Sequence, residues 1–153
     1  MSRLMVGLLF WTLTAAFAEE APVNSHVAVA NRTLAQAGLP ALPTTAKELQ
    51  CYAWSGLSAG IYAAILFKEE KDFTAYREVV SRGLEAASPI PRNLLAPPNP
   101  AAPWFTPGAI ANGTVFYRGR ITRAAPEILR WYADAEERRM FLYYSWNNKR
   151  TYP

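Results

Sequence analysis

The chain carries one histidine, His26, and one cysteine, Cys51, and this scarcity limits the chemistry open to it. A Ser-His-Asp triad or a Cys-His pair would have to recruit His26, because no other imidazole exists. One Cys and one His cannot build a zinc ligand set, and no C-x-x-C-H haem attachment sequence is present. There is no phosphate-cradling glycine loop and no dinucleotide fingerprint. Neither a metal nor a cofactor is expected, and no catalytic residue stands out.

The remaining chemical candidates have plainer readings. A reactive thiolate needs a neighbouring cation or a helix N-terminus. Cys51 lies well inside its predicted helix with no adjacent base, so it reads as a small buried hydrophobe, with pairing into a homodimer as the alternative. Glu69-Glu70 and Glu136-Glu137 are adjacent carboxylates. Neighbours on a helix point about 100° apart, so neither pair forms an acid/base couple by itself, and both read as solvated faces.

The C-terminal region offers a binding site rather than a catalytic one. Between Arg118 and Arg150 there are eight basic residues against four acidic ones, in a chain of net charge +4. Met140 to Trp146 is apolar on nearly every side, more than a terminal helix of a small domain can bury. Arg139 falls inside the predicted core stripe of Ile128, Tyr132, Ala135, Leu142 and Trp146, where a charge is costly unless it is paired or reaches water. Arg138, Arg139, Tyr144, Trp146, Lys149 and Arg150 are therefore the expected partner-binding residues. Arginine among aromatics is a nucleic-acid signature in a cytosolic protein. After export that ligand is not expected, and an anionic protein, lipid headgroup or polysaccharide of the envelope takes its place.

Export is itself an expectation from the N-terminus. Arg3, the uncharged run Leu4 to Phe17, and Ala16-Phe17-Ala18 before Glu19 have the three parts of a signal peptide over residues 1–18. As a helix the run would reach only about 20–22 Å, short of the roughly 30 Å hydrocarbon core. Residues 19–153 then form one domain, of a length able to bury a core without disulfides.

The elements that must position these residues read as helical. Asn24-Ser25 can cap a short first helix stopped by Gly38 and Pro40. Thr45 with Glu48 looks like a capping box for a second helix. No charge occurs from Leu49 to Phe67, with small residues on one predicted helical face and Trp54, Leu57, Ile61 and Ile65 on the other. Gly56-x-x-x-Gly60 also matches a membrane packing motif, but Gln50, Ser55 and Ser58 favour a buried soluble helix. A third helix is expected from Asp72 to about Ala87, and a last one from about Pro126 to Trp146. Residues 107–121 suit either a helix opened by Thr106-Pro107 or a hairpin at Asn112-Gly113, the helix being preferred. Seven prolines between 88 and 107 enforce an extended segment whose apolar residues should dock on the helices.

The expected fold is thus all-α: a single-domain bundle of four to five helices around an uncharged central helix, with a proline-rich crossover. The expected function is that of a periplasmic or secreted binding protein of inhibitor, immunity, adaptor or assembly type. The alternative is a small envelope hydrolase working through carboxylates that the fold brings together.

Overall fold

The computed structural model describes residues 21–110, 112–121 and 126–147. The predicted signal peptide lies outside the described residues, as do Lys149 and Arg150. The fold is not an all-α bundle. Among the described residues, six antiparallel strands form one sheet, with two helices on one face and the proline-rich segment on the other.

The first element is helix α1, Ala21–Gln36. It ends where its sequence says it must: Gly38 takes φ 69°, its N–H donates to the Ala35 carbonyl, and the Leu39 N–H donates to the Leu34 carbonyl at 2.8 Å. This is a Schellman closure, which needs a residue free to adopt left-handed backbone. The Asn31 side chain then accepts the Leu42 N–H at 2.8 Å and folds the connection back on the helix.

The predicted second helix is instead a hairpin of β1, Ala46–Trp54, and β2, Ser58–Phe67, turning at exposed Ser55, Gly56 and Leu57. The reason is burial on both sides. On β2, Ile61, Ala63, Ile65 and Phe67 join the helix-side core, while Tyr62 and Ala64 join the opposite one. A strand covered on both faces carries an unbroken apolar run, which periodicity alone cannot distinguish from a buried helix.

Helix α2 spans Glu70–Ser81, starting two residues before the predicted third helix and ending well short of Ala87, and buries Phe73 and Val80. The residues beyond it form the short edge strand β3, Glu85–Ala87. The predicted last helix is also a hairpin: β5, Pro126–Asp134, and β6, Arg139–Asn147, joined by a turn in which Arg138 has φ 51°. Before them, Thr106-Pro107 opens only a 3-10 turn, Pro107–Ile110, and β4 follows at Thr114–Ile121. The sheet order is β1-β2-β6-β5-β4-β3.

The proline segment docks as expected, but on the sheet rather than on helices. Ala102, Phe105 and Ile110 are buried against Tyr62, Val115, Tyr132, Phe141 and Tyr143. Each large apolar side chain fully covered contributes about 1.5–3 kcal/mol, so this face could not be left bare. Proline removes donors and leaves carbonyls, and the sheet answers with donors. The Tyr132 hydroxyl donates to the Leu94 carbonyl at 2.6 Å, Arg130 to Leu95 at 3.0 Å and Tyr62 to Pro97 at 3.2 Å. Residues 88–107 are therefore a strap fixed at named points. Among the described residues, no helix is long and apolar enough to cross a membrane.

Candidate functional site

A cavity of about 530 Å³ opens on the helix side of the sheet, where β4 and β6 end and β2 and β5 begin. The C-terminal half of α1 supplies Arg32, Thr33 and Gln36, and β2 supplies Ala59. The sheet register brings the rest together. Trp146 on β6 lies opposite both Ala59 on β2 and Glu127 on β5. Tyr144 is one step further in on the same face of β6, beside Leu129.

Glu127 is the electrostatic centre of the cavity. Its Oε1 accepts from Arg118 Nε at 3.1 Å and from the terminal guanidinium nitrogen at 2.8 Å. Its Oε2 accepts from the Tyr144 hydroxyl at 3.3 Å. The two side chains of the ion pair retain 25% and 17% of their exposure, so water still reaches the pair and its strength is moderated. Burial, and then the Glu127 charge, push the Tyr144 phenol up to about 12. Tyr144 is therefore a neutral hydroxyl at ordinary pH, able to donate one hydrogen bond and accept others. Arg32 stands exposed at the mouth with no ion-pair partner among the described residues.

The expected partner-binding residues separate into two groups. Tyr144 and Trp146 line this cavity, Tyr144 buried and Trp146 half-buried. Arg138 and Arg139 sit at the other end of β6, exposed and half-buried respectively. Seven strand positions separate Arg139 from Trp146, about 23 Å, so those four do not form one patch. On a strand, Arg139 leaves the helix-side core and lines a hollow on the strap side beside Phe141.

Glu127, Arg118 and Arg32 were not among the expected site residues. A charge count treats Glu127 as one more surface carboxylate. Read with a period of two, however, it shares parity with Leu129, Trp131 and Ala133, all on the buried helix-side face.

The two rare side chains lie elsewhere. Cys51 is buried, its thiol pushed up to about 12 by burial, and its Sγ–H points to the His26 carbonyl at 3.8 Å. His26 Nδ1 lies 3.0 Å from the Ala53 carbonyl oxygen and 3.3 Å from the Ala53 nitrogen. One tautomer donates to the first and the other accepts from the second, so either covers backbone groups of β1, an edge strand. Among the described residues, no group of three or more His, Cys, Asp and Glu could hold a metal ion.

Comparison of the chain with protein-family models, with curated proteins and with solved structures finds no match.

Proposed function

We propose that this is an exported binding protein that holds a small anionic amphiphile between α1 and the sheet. The observation that carries the reading is the charge layout of the cavity. Its one carboxylate, Glu127, is already neutralised by Arg118, while Arg32 at the mouth has no counter-charge among the described residues. An anionic group at Arg32 would complete the pairing, with Gln36 nearby as a further donor. Trp146 and Ala59 offer an apolar wall for a ring or short chain.

A two-carboxylate hydrolase does not fit this cavity, because Glu127 is the one carboxylate lining it among the described residues. The export half of the proposal rests on residues 1–18 alone. N-terminal sequencing of the mature protein should begin at Glu19, and recovery of intact Met1 would refute it.

The binding half is tested with anilinonaphthalene sulfonate, an anionic aromatic probe, titrated into folded protein. Saturable one-site binding is expected. Trp146→Ala should weaken it by about 2 kcal/mol, roughly thirtyfold. Arg32→Ala should weaken it and flatten its salt dependence. Binding that ignores both substitutions, with unfolding curves unchanged, would refute the cavity as the site.

A further inference from the structure

The opposite face of the sheet carries a second hollow, lined by different residues. Alternate positions of β1 place Glu48, Gln50, Tyr52 and Trp54 on the strap side, at intervals of about 7 Å. β1 is an edge strand, and Glu48 and Gln50 of this row are exposed while Tyr52, with the His26 ring 5.2 Å away, and Trp54 are half-buried. Beside Glu48 and Gln50 lies a hollow of about 140 Å³, with Ala64 and Phe141 in its lining, Arg139 reaching in from β6 and Trp104 from the strap.

Three observations define what the hollow can recognise. Glu48 and Gln50 are exposed and Arg139 half-buried, and among the described residues none of the three side chains has a hydrogen-bond or ion-pair partner. A carboxylate, a carboxamide and a guanidinium each present two polar atoms in a plane, a match for two adjacent hydroxyl groups. One negative and one positive charge leave the hollow without net charge, which suits an uncharged ligand. Trp104, Tyr52 and Trp54 are all half-buried, and each supplies a flat apolar surface for the C–H face of a sugar ring, held by dispersion. Trp54 is also fixed in place, with its ring over Gly60 and its Nε1–H donating to Ser58 Oγ at 3.3 Å.

We propose that this surface binds a neutral polysaccharide, with one sugar in the hollow between Trp104 and Gln50 and the chain continuing along β1 over Tyr52 and Trp54. Vicinal hydroxyls of the seated sugar bond to Glu48, Gln50 and Arg139. The row of aromatics beyond the hollow favours a chain over a single small polar molecule, which would have no use for Tyr52 and Trp54.

The test is isothermal titration of the full protein with cello-, chito- and malto-oligosaccharides. At least one series should bind, with affinity rising with chain length and nearly independent of salt. Trp104→Ala should reduce affinity by about tenfold or more, as loss of an aromatic anchor does. Gln50→Ala, at an exposed position, should also reduce it while leaving the melting temperature unchanged, which covers the case in which Trp104→Ala loosens the strap. Arg32→Ala and Trp146→Ala, in the other cavity, should have no effect. The proposal is overturned if no series binds, or if Gln50→Ala and a folded Trp104→Ala both bind as the parent does. Displacement by free glycine, or preference for a polyanionic glycan, would also overturn it, because the hollow would then serve a zwitterion or an anion.

Discussion

The indole of Trp54 lies across Gly60, its antiparallel partner on β2, in the space that a Cβ on Gly60 would occupy. Cross-strand pairs are the unit of sheet stability, and here a ring covers the gap that a glycine leaves in a strand. Gly60 is a close-contact position, as the small-residue stripe suggests, but the neighbour is a side chain of the same hairpin rather than another helix.

Gly60→Val should therefore lower the denaturation midpoint by an amount equal to about 1–3 kcal/mol, as overpacking does. In a Trp54→Ala background the same change should become nearly neutral, because the obstructing ring is gone and a β-branched residue suits a strand. Equal effects in both backgrounds would show that the ring does not cover this site.

The strap should be loosened by removing one hydroxyl. Tyr132→Phe deletes the 2.6 Å bond to the Leu94 carbonyl and should cost about 0.5–1.5 kcal/mol. Trypsin cleavage after Arg92, which is exposed on the strap, should accelerate beyond what the global loss accounts for. An unchanged cleavage rate would mean that the docked apolar residues hold the strap without this anchor.

Cys51 should be nearly inert in native protein. Burial holds its thiol at about 12, so almost no thiolate exists at neutral pH. A thiol reagent should label it far faster in denaturant than in buffer. Rapid native labelling would place the thiol at an accessible edge instead.

Alkali should unfold the protein earlier than ordinary tyrosines require. Tyr62, Tyr132 and Tyr144 are each pushed up to about 12, chiefly by burial. A raised folded pKa favours the protonated form, so this contribution is complete below the unfolded value of about 10 and is lost as pH rises toward 12. The melting temperature should fall steeply between those limits, with tyrosinate absorbance appearing together with unfolding. Tyrosinate formation well before unfolding would contradict the burial of these phenols.

Several features were legible from residues alone. The scarcity of His and Cys restricted the chemistry, and Gly38 closed α1 where a left-handed residue was needed. The apolar side chains among the prolines foretold a docked segment, and Phe105 and Ala102 are buried. The burial of Cys51 followed from the apolar run around it, whichever element that run formed. Tyr144 and Trp146, singled out for surplus aromatic surface, both line the cavity beside α1, although Tyr144 itself is buried.

Only the tertiary structure decided between helix and strand for 49–67 and 126–146. Both runs are apolar on consecutive residues because strands β2, β5 and β6 lie between α1 and α2 on one side and the strap on the other. A local pattern cannot record a second covering layer, since the strap lies far along the chain from β2. The same holds for the cavity: Arg118, Glu127 and Tyr144 converge because register sets three strands side by side. Register is a long-range quantity, fixed by which faces are buried. The sequence by itself determined which groups this protein has to work with, and strand pairing decided which of them meet.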